Sequence, residues 1–265
     1  MPESTLSLTY YDFKAEVATY LGWGRGSDNG DTAWTTLQEA ELDYIVRSGL
    51  RQVYFPPAEA GVSHQWSFLK PQGSVTVESG QRAVALPDDF GGFDGRLVFD
   101  GDEAREPVPF VALTTLEEFY GREPSRTGAP LAAAEVSVRG TAGNAGQRRE
   151  LKVFPEPDAS YTLNFRYYVI PDHLNAAKPY HYGGAMHTET FLESCLAIAE
   201  QRKDGVMGLH TAKFRERLAT SIAIDARSKA QLLGYNGDRS DGVYRRTYRQ
   251  SRFTGTVTLN DVTPT

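Results

Sequence analysis

Five histidines, at positions 64, 173, 181, 187 and 210, are the first residues to test for metal or proton chemistry. A zinc site on a helix needs ligands on one face, for example at i and i+4. His181 and His187 are six apart, with Glu189 nearby, and no pair among the five has the required spacing. They read as loop and helix-start histidines, and no metal or other cofactor is expected. Asp88, Asp89, Asp94, Asp100, Asp102 and Glu103 form an acidic stretch broken only by Arg96. Paired carboxylates can do acid–base work or bind calcium, but this spacing fits no calcium loop, and Asp100-Gly101-Asp102 is a good turn. Solvated turns are the expectation, with a negative surface facing DNA as the more specific possibility.

Nucleophiles fare no better. There is no Gly-x-Ser-x-Gly, and the glycines of Gly22-Trp23-Gly24-Arg25-Gly26 lack the spacing of a phosphate-cradling loop. Cys195 is the only cysteine and falls on an apolar stripe, as a core thiol does. No catalytic residue is predicted. The remaining chemistry lies near the end of the chain, where arginines alternate with aromatics: Tyr244, Arg245, Arg246, Tyr248, Arg249, Arg252 and Phe253. Such residues neutralise and stack on nucleic acid, or anchor a protein interface. From Asn236 to Thr265 there are five Arg against three Asp, in a chain of net charge −6, so residues 1–235 carry −8. With an acidic body behind it, the segment is expected to grip a protein, ordering as it does so.

The elements that must carry these residues follow from periodicity and punctuation. Thr9-Tyr10-Tyr11-Asp12 is a capping-box pattern, followed by Tyr10, Phe13, Val17, Tyr20 and Leu21 at helical spacing. Asp31 or Thr32 is placed to cap a second helix from about Ala33 to Tyr54, stopped by Pro56-Pro57, with Leu37, Ala40, Tyr44, Ile45, Leu50 and Val53 on its sides. The middle alternates. Ser74–Glu78 and Arg82–Leu86 predict a hairpin around Ser79-Gly80, and further strands are expected at Arg96–Phe99, Val108–Leu113, Glu135–Arg139, Glu150–Phe154 and Tyr161–Val169. One short helix interrupts them, capped at Thr115-Leu116-Glu117-Glu118.

Helical spacing returns with Phe191, Leu192, Cys195, Leu196 and Ala199, breaks at Gly205–Gly208, and resumes with Phe214, Leu218, Ile222 and Ala226, backed by Leu232-Leu233 and capped at Gly234. A two-helix hairpin cannot bury its own face. The predicted fold is therefore α+β: a four-helix bundle from residues 1–64 and 179–235, a β-rich antiparallel insert at 65–178 with its strands between about 65 and 171, and an extended arm at 236–265. No run approaches the roughly 20 apolar residues of a membrane span, and MPESTLSLTYYDF has no basic start before an apolar block, so no secretory signal is expected. A single cysteine excludes an internal disulfide and fits a reducing cytoplasm, or a particle assembled there.

The order of these parts resembles the head-to-tail adaptor (connector or gateway) proteins of tailed bacteriophages, particularly the portal-docking adaptor of short-tailed phages. The resemblance is carried by Leu50-Arg51-Gln52-Val53-Tyr54-Phe55-Pro56, His64-Gln65-Trp66-Ser67-Phe68-Leu69 and Leu86-Pro87-Asp88-Asp89-Phe90. It is strongest from Phe154-Pro155-Glu156-Pro157 through Tyr161-Thr162-Leu163 to Tyr167-Tyr168-Val169-Ile170-Pro171-Asp172-His173-Leu174. It covers about residues 5–235. The resemblance implies a virion structural protein at the head–tail junction, assembled in the host cytoplasm. It implies a ring, usually of twelve copies, with the portal and tail or nozzle proteins as partners and double-stranded DNA passing without tight binding. Three other readings stay open: a neck, tail-completion or tail-tube component; a hydrolase or glycan-binding module working through the β insert; and a nucleic-acid binder using the arm.

Overall fold

Two reciprocal capping boxes set the first two helices of the computed structural model, which describes residues 3–27, 33–56, 64–101, 105–139 and 146–228. Helix α1 spans Tyr10–Leu21: the Thr9 hydroxyl accepts from the Asp12 N–H, and the Asp12 carboxylate accepts from the Thr9 N–H at 2.8 Å. It ends at Gly22, whose φ of +84° gives the left-handed cap that a side chain would strain. Helix α2 spans Thr36–Tyr54 under a second box, Thr35 with Gln38. Asp31 and Thr32 lie outside the described residues, and the helix begins later than Ala33. Trp34 is held off the helix, donating its indole N–H to Gly24 O at 3.1 Å and stacking on Tyr11.

Helix α4 (Thr188–Asp204) and helix α5 (Leu209–Ser228) follow the expected stripes and the expected break. Phe191, Cys195, Ala199, Phe214 and Leu218 are buried. Ile222 is only half-buried and Ala226 exposed, because the buried position on the last turns of α5 is taken by Asp225. Leu232, Leu233 and Gly234 lie outside the described residues. α4 packs against α1, α2 and α5. One core holds Phe13 and Val17, Leu42, Ile45, Val46 and Val53, the α4 and α5 stripes, and Trp66, Leu69 and Leu174 from the segments leading into and out of the strands. On α2 the stripe differs from expectation: Leu37 is 83% and Tyr44 57% exposed.

Among the described residues, seven antiparallel strands build the middle of the chain. β7 (Tyr161–Val169) is the spine of a four-stranded sheet, flanked on one edge by β1 (Gln72–Val77) and on the other by β3 (Phe90–Phe93) and β4 (Val98–Phe99). β2 (Ala83–Ala85), β6 (Gln147–Phe154) and β5 (Ala132–Arg139) form a three-stranded sheet in that order. Val75, Val77, Leu163, Phe165 and Tyr167 face the core shared by the two sheets, while Gln72, Ser74 and Thr76 pair across Arg166, Asn164 and Thr162 on the opposite face.

Three local expectations are corrected. The turn at Ser79-Gly80 exists, with Gln81 N–H donating to Glu78 O, but β1 and β2 do not form a hairpin. β1 finds a six-residue partner in β7 and β2 a partner in β6, so the turn carries the chain from one sheet to the other. Val108–Leu113 makes only isolated bridges, Leu97 with Val108 and Phe110 with Ala133. Helix α3 (Leu113–Arg122) starts before the Thr115 box, with Ala112 at its N-cap and no side-chain cap, so Thr115 already lies in the first turn. α3 seats Leu116, Phe119 and Tyr120 around Phe154 in a small satellite core.

Candidate functional site

The groups most capable of chemistry are used inside the fold. Burial pushes the Cys195 thiol up to about 12, which keeps it protonated and unreactive. His181 is buried between α1 and α4. Its Nδ1 donates to Tyr182 O at 2.7 Å, and its Nε2 accepts from the Thr188 hydroxyl at 2.9 Å. Burial holds His181 below the usual histidine range. His187, at the N-cap of α4, packs against Trp66 and Phe68, and its buried Nδ1 has no hydrogen-bond partner. Burial lowers this group too; the Asp225 charge opposes the shift and nearby His64 adds to it.

Asp225 is a buried charge with several partners, and its side chain is 1% exposed. It accepts from the Ser67 N–H at 3.0 Å, from the Ser67 hydroxyl, and interacts with His64 Nε2 at 2.9 Å. The segment it holds, His64 to Leu69, carries the chain from the helices toward β1. Between them, Trp66 buries its ring against His64 and His187 and donates its indole N–H to Val53 O at 2.8 Å. One carboxylate on the last turns of α5 thus ties the helical core to the start of the strands. The geometry is that of a latch. The Asp bridges the His and the Ser, so the histidine is not poised to take the serine proton. Sequence reading missed this latch. Its signal was a charged residue at the i+4 position from Ser221 and at i+7 from Leu218, on the buried side of α5.

Glu200 plays a similar part at the turn between α4 and α5. It accepts from the N–H groups of Gly208 at 3.1 Å and Thr211 at 3.2 Å, and from that of His210. Burial alone would raise its pKa, but the donors of Thr211, His210 and Gly208 together hold it below the usual carboxylate range.

The acidic stretch becomes cross-links. Asp88 pairs with Arg148, Asp94 with Lys70 at 3.5 Å, and Asp100 accepts from the Asn164 amide at 3.1 Å; Asp102 and Glu103 lie outside the described residues. The polar face of the four-stranded sheet opens into a trough of about 640 Å³ lined by Gln72, Ser74, Asp94, Arg96, Asn164 and Arg166. It contains no nucleophile paired with a base. Among the described residues no group of three His, Cys, Asp or Glu is arranged to hold a metal ion, and no helix is long and apolar enough to cross a membrane. Tyr244, Arg245, Arg246, Tyr248, Arg249, Arg252 and Phe253 lie outside the described residues.

The most deeply buried carboxylates, Asp225 and Glu200, serve as internal ties, which leaves the surface as the working part. The SU10 adaptor protein family matches residues 8–239, which takes in the helices, both sheets and the latch. The chain belongs to the SU10 adaptor protein family. This is a structural family of the phage head–tail adaptor type, so an SU10 adaptor works by joining parts within a virion at the head–tail junction. No curated protein matches this SU10 adaptor.

Proposed function

We propose that this adaptor is a virion structural protein that assembles as a ring, of twelve copies on the notion that best fits the resemblance, between the portal and the tail of a short-tailed phage. The observation that carries the reading is the family match over residues 8–239, which includes helices and sheets alike and reaches the first residues of the C-terminal segment. In this reading α1, α2, α4 and α5 act as a four-helix bundle that builds the ring wall, and the β part meets tail or nozzle proteins. The Arg/Tyr segment around Tyr244–Phe253 clasps the portal.

The electrostatics support the channel role. A chain of net charge −6 repels the phosphate backbone, so double-stranded DNA slides past without sticking. Arginines near Tyr244 and Tyr248 supply the anchors that protein interfaces favour. A segment that orders on docking would make ring formation wait for the portal.

The decisive experiment is truncation after Gly237. The shortened chain is expected to fold with an unchanged melting temperature and to be missing from purified particles. Normal incorporation would refute the clasp. Imaging of particles labelled at the C-terminus places the protein; a label away from the junction of head and tail would refute the adaptor position.

A further inference from the structure

The outward side of α2 has an unusual composition for a solvent face. Leu37, Ala40, Tyr44, Arg47, Arg51 and Phe55 follow one another at spacings of three and four, and all six are exposed. Leu37 is 83%, Tyr44 57% and Phe55 54% exposed. The opposite side of the same helix, from Leu42 through Ile45, Val46, Gly49 and Leu50 to Val53, is already spent on the core. α2 therefore carries two stripes, and among the described residues the outer one is left exposed, with the Arg202 guanidinium of α4 over the Tyr44 ring. Leucine, tyrosine, phenylalanine and arginine along one line is an interface composition.

The two arginines sharpen this. Arg47 and Arg51 stand one helical turn apart, where like charges repel, and neither forms an ion pair with a described residue. At their end of the helix the chain leaving β7 closes a groove of about 330 Å³, lined by Arg47, Arg51, Phe55, Ile170, Asp172 and His173. Ile170 is 53% exposed on its rim. Asp172 is engaged by Lys178 at 2.8 Å, so among the described residues it does not pair with the arginines. The groove thus presents two apolar side chains beside two arginines that pair with no described acid, and its complement is an acidic surface with apolar residues.

We propose that the outward stripe of α2 is the seat for a second copy of this same chain, in a head-to-tail contact. Charge complementarity selects the occupant: the chain carries 34 acidic against 28 basic residues, so a neighbouring copy offers acid to the arginine pair. The same charges choose the symmetry. A two-fold contact through the stripe would gather four arginines around one axis, whereas a heterologous contact sets the stripe against a different, acidic face of the next copy. Heterologous contacts close into rings when the rotation permits. This inference rests on the ring reading above and assigns to it one of its two faces. The clamp of α2 onto α4, where the Ser194 hydroxyl donates to Gly49 O at 2.8 Å, holds the stripe rigid.

The test places the photo-crosslinker benzoylphenylalanine at Tyr44 of the full-length chain, incorporates it into particles, irradiates them and maps the adducts by mass spectrometry. Adducts between two copies of the chain are expected. Adducts only to a different protein, or none, overturn the proposal. Glutaraldehyde treatment of the same particles reads the ring independently. Multimers of the chain without Tyr44 adducts between copies would sink the α2 seat and leave the ring, whereas the absence of multimers would sink the ring itself. A second variant, R47E/R51E, reverses charge at exposed sites. It should retain the parental melting temperature and lower the number of copies per particle by about tenfold or more. Normal copy number in that variant would also overturn the proposal.

Discussion

Gly49 of α2 lies so close against Cys195 of α4 that a Cβ added at Gly49 would sit 2.6 Å from the Cys195 sulfur and 2.8 Å from its Cα. Contacts that short do not occur, so the two helices owe their separation to the missing side chain. Next to it the Ser194 hydroxyl donates to Gly49 O. A glycine within a helix normally costs about 1 kcal/mol relative to alanine, so at a loose site Gly49→Ala would stabilise. Here overpacking opposes that gain with about 1–3 kcal/mol or more, because backbone atoms of α4 must move as well. Gly49→Ala is expected to lower stability in urea denaturation, and Cys195→Ala in the same chain should restore only part of the loss. A stabilised G49A would contradict the packing.

Cys195 also predicts a chemical outcome. With its thiol buried and its pKa pushed up to about 12 by that burial, the native chain should resist iodoacetamide at pH 8. One equivalent should add once the chain is unfolded in urea, and intact mass reads both states. Rapid labelling of the folded chain would show that the helix pair opens at that point.

The latch at Asp225 predicts a local failure. Asp225→Ala takes the carboxylate away from the Ser67 N–H and hydroxyl and from the His64 ring, at a cost of about 2–4 kcal/mol. Ser67→Ala removes one donor and should cost about 1 kcal/mol. Hydrogen exchange in D225A should rise first across residues 64–69 and the last turn of α5, ahead of the sheets. Uniform acceleration over the whole chain would mean that Asp225 stabilises without acting as a latch.

Glu200 should contribute stability that depends on pH in a defined sense. Its folded pKa is depressed, so its contribution is complete above its unfolded value near 4.5 and is lost as pH falls through the lower, folded value. Glu200→Gln is expected to lower stability by about 1–2 kcal/mol at pH 7, with the gap to the parent shrinking below about pH 4. A gap independent of pH would show that the carboxylate charge is not what the three N–H groups recognise.

His181 and His187 act in a higher window. Both are held below the ordinary histidine value of 6.5 by burial, so the unfolded chain takes up protons first as pH drops. Their contribution is complete above pH 6.5 and declines below it. The melting temperature should fall between pH 7.5 and 5.5, and His187→Phe should reduce that fall while removing the unpaired Nδ1 from the core. An equally steep fall in H187F would assign the pH dependence elsewhere.

Much of this architecture was legible in the sequence because it depends on local rules. The Thr9–Asp12 box and Gly22 bound α1 where periodicity and capping place it, and the Phe191–Cys195–Ala199 stripe faces inward as written. The α+β class and the run from Tyr161 to Val169 as a strand are readable in the same way. What local rules could not reach was partner choice. Ser79-Gly80 reads as a hairpin turn on either side of two alternating segments, yet each segment bonds to a strand some 70 to 90 residues away. Ala132-Ala133-Ala134 belongs by propensity to a helix, and it forms a strand because β6 pairs with it and a buried face wants small side chains. Phe90–Phe93 escaped notice because Gly91 and Gly92 dilute its pattern.

The functional site divides along the same line. Composition and charge alone determined that the chain has an acidic body with one basic, aromatic-rich segment, and that no motif for catalysis is present, since those are properties of residue type and spacing. Tertiary structure alone decided which polar residues are spent internally. Asp225 meets His64 across 161 positions of chain, and no periodicity encodes an encounter at that distance. It also decided that Leu37 and Tyr44, which an amphipathic reading assigns to the sides of a packed helix, stand in solvent on α2. A helix has room for two stripes, and only the packing of its neighbours determines which of them is left for a partner.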